Sequence, residues 1–292
     1  MDPPCHSFHE PMFGAGAVTF CIGPAHGSIN DINPRLVNFY RTIKESHDRL
    51  IKFNLEAEHK NTKEYYYEAR KRYNLPLNGG ELDRIEEASL LLYLNRTCYN
   101  GLYRVNTKGE FNVPFGGYKD PNYVQADRIT EAHEILKNLD IFNEDFHYIT
   151  TVAKEGDLVY FDPPYHPVSP TSAFTAYSSD GFGWDEQQEL AEVMAELHEG
   201  GVRVVLSNSA TEEMRDLYSR LEGFTFEVVD ARRAINCDGT KRGKVGELIV
   251  SNVEKQQATI NIRPRGGKGR SAREGEKTGG IRSKAQTQGV LF

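Results

Sequence analysis

With 292 residues, 38% of them apolar, and a formal net charge of -7, the chain is long enough to bury a large core and too acidic overall for a plain polybasic nucleic-acid binder. No apolar run approaches the ~18 residues of a membrane span, and the opening MDPPCHSFHE lacks the charged-then-apolar pattern of a signal peptide, so the sequence reads as cytoplasmic, with no membrane partner. Cys5, Cys21, Cys98 and Cys237 are scattered without a Cys-x-x-Cys pair, which argues against a zinc ribbon, a redox motif or a disulfide framework. Cys5, His6 and His9 have no second cluster to complete a metal site, and no metal is expected.

In chain order, FHEPMFGAGAVTFCI predicts an extended stretch entering a turn at Phe13-Gly14-Ala15-Gly16 and then a short apolar helix. Ser28-Ile29-Asn30 reads as a strand end, and Asn33-Pro34 as an N-cap with proline in the first helical turn. Leu36, Val37, Tyr40 and Ile43 then recur at helical spacing. Strand, glycine turn, helix, strand, acid, helix is the opening of a doubly wound α/β sheet, and residues 1–50 are assigned to its first part. Residues 51–140 read as an inserted, mainly helical domain: charged helical stretches surround TCYNGLYRVNTKGEFNVPFGGYK, whose alternation suggests a β-hairpin turning at Thr107-Lys108-Gly109.

The α/β rhythm resumes over residues 141–253. DLVYFD is a buried strand, WDEQQELAEVMAELHEGG a helix closed by Gly200 and Gly201, and VRVVLSNS another strand. TEEMRDLYSRL is a helix capped by Thr211 with Met214, Leu217, Tyr218 and Leu221 inward. FTFEVVD and ELIVSNV close the sheet across a basic loop in which Arg232, Arg233, Lys241, Arg242 and Lys244 are candidates for phosphate contact or for a solvated surface. Residues 254–292 are rich in Lys, Arg, Gly and Gln with almost no apolar residue, and are expected to form a disordered basic tail. Its last residues, QGVLF, loosely resemble the peptides that dock on sliding clamps, through Gln288, Leu291 and Phe292.

The glycine turn gains meaning from Asp31, just after the second strand, where an acid hydrogen-bonds ribose hydroxyls in nucleotide-binding sheets. A nicotinamide cofactor and a methyl-donor nucleoside fit this pair equally. The tie is broken by VYFDPPYHP. Pro163 and Pro164 fix φ and lack N–H donors, so they present carbonyl acceptors in a rigid frame; Asp162 adds a further acceptor and Tyr165 a flat ring. Acceptors beside a ring suit an aromatic amine such as adenine N6, whose lone pair is delocalised until both its hydrogens are gripped. The ring suits a base rotated out of a duplex. Against this, Asp-Pro-Pro could simply end a strand, and Ser207-Asn208 reads as structural; Phe174 and Tyr177 are candidate lid residues.

Taken together, EPMFGAGAV, INDINP, LNRTCYNGLYRVNTKGEFNVPFG, VYFDPPYHPVSPTSAFTAYSSDGF, VVLSNS and ARRAINCDGTKRGKVGELIVSN resemble the Dam family of DNA adenine-N6 methyltransferases, over about residues 8–253. The resemblance implies a Rossmann-like methyltransferase sheet and S-adenosylmethionine as cofactor, with Phe13, Gly14 and Gly16 lining its pocket, Asp31 on its ribose, and Asp145 and Phe146 at its adenine. Asp162 would touch both cofactor and target; with Pro163 and Pro164 it would grip the amine, and Tyr165 would stack on the flipped base. The resemblance also implies double-stranded DNA as partner, a monomer working at the nucleoid, and an inserted block that reads DNA through Arg96, Asn100, Arg104, Asn106 and Lys108, with GATC the first oligonucleotide to try. The family usually begins with a Lys-Trp-x-Gly-Gly-Lys-like segment, and the 12 residues before Phe13 hold no counterpart. The alternative reading is therefore a DNA-binding protein whose methyl transfer is weak or lost. N4-cytosine methylation and nicotinamide chemistry are the remaining competitors; the first usually shows Ser at the position of Asp162, and the second leaves the proline corner without a task.

Overall fold

The computed structural model describes residues 6–57, 59–166, 182–232 and 244–253. The side chains of Arg232, Arg233, Lys241, Arg242 and Lys244, together with Cys5, Phe174, Tyr177, Cys237 and the tail residues Gln288, Leu291 and Phe292, lie outside what is described. Seven strands form one sheet: Phe8–Glu10 (β1), Gly27–Asn30 (β2), Leu139–Phe142 (β3), Leu158–Phe161 (β4), Arg203–Ser209 (β5), Thr225–Arg232 (β6) and Lys244–Ser251 (β7). Hydrogen bonding orders them β3-β2-β1-β4-β5-β7-β6. The first five are parallel, and β7 runs antiparallel between β5 and β6. The chain moves outward from β1 to β2 and β3 and then returns to lay β4 and β5 on the other side of β1. At such a reversal the loops leaving the two central strands diverge, which opens a crevice at their carboxyl ends.

Helices connect these strands: Ala17–Ile22 (α1), Pro34–Glu56 (α2), Lys63–Tyr73 (α3), Arg84–Thr97 (α4), Ala126–Leu136 (α5), Ile149–Val152 (α6), Trp184–Glu199 (α7) and Glu212–Tyr218 (α8). The cap expected at Asn33 is present, its side-chain oxygen accepting the Arg35 N–H at 3.0 Å with Pro34 in the first turn. α2 kinks at Ser46, passes residue 50 and continues to Glu56, so the expected boundary at residue 50 lies inside a helix. Its buried residues include Leu36, Val37, Phe39, Tyr40 and Ile43 before the kink and Leu50 after it. Arg35 ties α2 to α3 and α4: its Nε donates to Glu87 at 2.7 Å, its guanidinium lies 3.3 Å from the Tyr73 ring centroid, and a terminal nitrogen donates to the Tyr73 carbonyl.

The buried apolar residues fall into two clusters. The first gathers Phe13, Ile29 and the α2 residues with Tyr66, Tyr73, Tyr93, Phe111 and Leu136, and Tyr65 and Tyr67 pack against it. The second gathers Val159, Phe161, Leu190, Met194, Leu206, Met214, Tyr218, Leu248 and Val250. Of the residues expected to face inward here, Met214 and Tyr218 are buried and Leu217 packs from the rim; α8 ends at Tyr218, so Leu221, expected in the same helix, packs from the turn that follows.

Two local readings change. The strand β3 was not expected; it has only four residues, one of them buried, and therefore shows no clean alternation. The hairpin reverses close to the expected Thr107-Lys108-Gly109, with the Gly109 N–H donating to the Asn106 carbonyl at 2.9 Å. Its arms, however, meet only at isolated bridges, Val105 with Phe111 and Cys98 with Phe115. Pro114 between the bridges lacks an N–H for a continuous ladder. Among the described residues, no helix is long and apolar enough to cross a membrane.

Candidate active site

The turn after β1 is held by packing and by Asp31. Phe13 is only 2% exposed, its ring edge-on to Phe20 and Tyr40 at centroid distances of 5.6 and 4.7 Å. Gly16 has φ +69°, and a Cβ there would come within 2.3 Å of the Phe13 ring, so both backbone shape and space require glycine. Asp31, at the end of β2, accepts the Gly14 N–H at 2.9 Å and the Asn33 N–H at 2.8 Å. Burial raises its carboxyl above the ordinary range, and these two backbone donors oppose the rise. Phe13, Gly14, Gly16 and Asp31 thus stand together at the carboxyl edge of β1 and β2. The Tyr40 hydroxyl donates to the Gly14 carbonyl at 2.7 Å.

Below this turn lies Glu10, 2% exposed at the end of β1. It accepts both the backbone N–H and the hydroxyl of Thr19 on α1. Burial pushes its carboxyl up to about 8; Thr19 opposes the shift and the charge of Asp162 adds to it. The nearness of Glu10 to Asp162 follows from the parallel pairing of β1 with β4.

Asp162 follows β4 directly. Its Oδ1 accepts the Ser207 hydroxyl at 3.0 Å, and Ser207 in turn lies 2.9 Å from the Tyr160 hydroxyl. Pro163 is buried and Pro164 exposed. The Pro164 carbonyl is engaged by Gln187 Nε2 at 3.0 Å, so of the two carbonyls expected as free acceptors this one is already committed to α7. Gln187, 1% exposed, also accepts from Asn208 at 3.0 Å, while Asn208 Oδ1 accepts the His166 N–H at 3.1 Å. The Ser209 hydroxyl donates to the His166 carbonyl at 2.6 Å, and the Tyr165 hydroxyl donates to Glu247. Burial, then the charge of Asp162, holds the Tyr165 phenol well above its ordinary range, so it stays a donor. Ser207 and Asn208 therefore brace the proline corner as well as ending a strand. Sequence reading missed Gln187 and Glu247, since neither belongs to a local motif.

Asp145 and Phe146 stand apart in character. Asp145 is 62% exposed and caps the short turn Phe146–Tyr148 through the His147 N–H at 3.0 Å. Phe146 is 6% exposed, packs with the second core cluster and lies face to face with His147 at 4.3 Å. The His9 considered as a metal ligand is instead buried between Ser28 Oγ at 2.8 Å and Asp157 at 3.3 Å, and burial lowers its pKa. Among the described residues no group of three His, Cys, Asp or Glu side chains is placed to hold a metal.

The candidate DNA contacts lie on and after α4. Arg96 is half-buried with its Nε unpartnered, and burial followed by the charge of Arg128 lowers its pKa. Asn100 takes a left-handed backbone at φ 55°, its N–H donating to the Tyr118 hydroxyl at 2.9 Å. Arg104 is exposed and donates to Asn112 at 2.8 Å; Lys108 is exposed at the hairpin tip. Asn106 is occupied within the turn, its oxygen accepting the Lys108 and Glu110 N–H groups at 2.9 and 3.0 Å and its nitrogen donating to Glu110 at 2.8 Å. Exposed Tyr99 (48%) and Tyr118 (42%), not singled out in the sequence, flank Asn100; their aromatic rings within a Gly- and Asn-rich stretch were the available signal.

A glycine turn with a buried acid on one side of a sheet reversal, and a braced acid-proline-tyrosine corner on the other, have the layout of an α/β enzyme with its candidate site in that crevice. Residues 2–235 match the family described as D12 class N6 adenine-specific DNA methyltransferase. The chain is 39% identical over 250 residues to the type II methyltransferase M1.LlaDCHI of Lactococcus lactis subsp. cremoris, covering 84% of this chain and 86% of that one. It is 38% identical over 256 residues to the type II methyltransferase M.MjaIII of Methanocaldococcus jannaschii (83% and 87% covered) and 37% identical over 243 residues to the DNA adenine methylase of Escherichia coli K12 (82% and 84% covered). The chain belongs to this family and is a DNA adenine-N6 methyltransferase, one of a family that uses S-adenosylmethionine.

Proposed function

We propose that this chain itself binds S-adenosylmethionine at the Phe13–Gly16 turn and methylates adenine N6 in double-stranded DNA at the Asp162–Tyr165 corner. The observation that carries this reading is the placement of the two assemblies at the carboxyl ends of adjacent strands, β1 and β4. The turn is of a shape to accept such a ligand: a Cβ added at Gly14 would meet nothing within 4 Å, so the backbone there is open on one side. Asp31 would hold the ribose and Asp145 and Phe146 the adenine of the cofactor. When bound, S-adenosylmethionine supplies an electrophilic methyl group.

Asp162 and the Pro163 carbonyl take the two N6 hydrogens, which draws the amine lone pair out of conjugation and toward the cofactor side. Ser207 fixes the carboxylate rotamer for that grip, and Tyr165 supports the extruded base from its face. After transfer the amine is left with an excess proton, which Asp162 or solvent accepts. The block over residues 51–140 would read DNA, with Arg96, Arg104 and Lys108 at phosphates or bases and Asn100 at the edge of the groove; Asn106 acts by shaping the tip. Incubation of the purified chain with methyl-labelled cofactor and a GATC-containing duplex tests the proposal. Label is expected in N6-methyladenine and is lost in Asp162→Ala; label elsewhere, or turnover that survives Asp162→Ala, overturns it.

A further inference from the structure

The antiparallel insertion of β7 has a consequence for the corner itself. Because β7 runs against β5, its early residues lie at the same sheet edge as the end of β5, and Glu247 is paired with Ser209. These two residues hold consecutive positions of the corner: Ser209 the His166 carbonyl and Glu247 the Tyr165 phenol. A tyrosine at the tip of a loop otherwise rotates about two side-chain torsions. A charge-assisted bond at the far end of the ring removes most of that freedom before any ligand arrives.

We propose that Glu247 is a positioning residue for methyl transfer, its carboxylate fixing the Tyr165 ring as a preset platform for the extruded purine. This rests on the reading of Asp162–Tyr165 as the target-base corner. The ring is thereby ordered as part of folding, so DNA binding does not have to immobilise it. Glu247 touches neither the base nor the cofactor in this scheme; it acts through Tyr165 alone. Removing the carboxylate and removing the phenol oxygen therefore share one lesion, the loss of this tie, and the second also removes the contact of the phenol with Ser207.

The test is a double-mutant cycle on Glu247→Ala and Tyr165→Phe, read by turnover and by the emission of a duplex carrying 2-aminopurine at the target adenine. Each single variant is expected to lower kcat by about tenfold with the cofactor KM unchanged, and the double variant to fall no further. In both, the extruded 2-aminopurine should emit more brightly than in the unaltered complex, because the loosened ring quenches it less. Glu247→Gln keeps an acceptor oxygen and should restore most of both signals. Additive losses in the cycle, or unaltered emission in Tyr165→Phe, overturn the proposal, and the second result does so even where Glu247→Ala is too unstable to assay. N6 methylation that survives Asp162→Ala overturns the site reading and this proposal together, and that outcome is visible in a separate reaction.

Discussion

Glu10 combines deep burial with a carboxyl pushed up to about 8, which makes it a reporter of pH at the level of one residue. Its folded-state pKa lies above its unfolded value, so the native state binds the extra proton between the two. The stability this confers is fully present below the ordinary carboxylate range and is lost as pH rises through about 8. Thermal unfolding of the cofactor-free protein should therefore show a midpoint that falls with pH across that window, and Glu10→Gln should flatten the slope. An equal slope in both proteins would assign the pH dependence to other groups. Gly16 gives a second expectation at this scale. Gly16→Ala places a methyl against a Phe13 ring already wedged between Phe20 and Tyr40, on a backbone with φ +69°. The combined cost is about 2–4 kcal/mol, and it should appear in urea unfolding together with weakened cofactor binding by calorimetry.

Among the elements, the hairpin shows how a side chain substitutes for a ladder. Its arms share two isolated bridges, and the Asn106 side chain satisfies two N–H groups that a regular hairpin would leave to backbone or water. Asn106→Ala should speed amide exchange at Lys108 and Glu110, corresponding to about 1 kcal/mol per lost bond, whereas Asn106→Asp keeps the acceptor and most of the protection. The glycine turn, the Asn33 cap, Asp31 and the Asp162–Tyr165 corner were all legible in the sequence, because each is written within a few consecutive residues. Ser207, Gln187 and Glu247 were not legible as supports. Their bonds to the corner span 45, 23 and 82 positions, and nothing local marks a polar residue in a helix or strand as the one that reaches a distant loop. β3 escaped for a different reason, its four half-covered residues being too few to set a period.

Across the whole molecule, Arg35 is the link whose loss should be felt furthest. Its side chain and that of Glu87 are only 12% and 17% exposed, and it bridges the helix on the sheet to the helices over residues 63–97. Arg35→Ala leaves the half-buried Glu87 carboxylate with only Asn38 Nδ2, at 2.8 Å, as a side-chain donor among the described residues, and a loss of about 1.5–3 kcal/mol is expected in denaturant unfolding. The size of that loss distinguishes a half-buried tie from a surface ion pair such as Arg84 with Glu45, whose removal should cost under about 1 kcal/mol. The two apolar clusters divide the molecule along the same reversal that makes the crevice: Phe13 belongs to the first, while Phe161, just before the proline corner, belongs to the second. On the assignment proposed above, the glycine turn and the base corner therefore rest on separate footings within one sheet, with Phe146 tying the donor side to the second as well. Weakening the first footing should show mainly as poorer donor affinity, whereas weakening the second should reach both halves of the work.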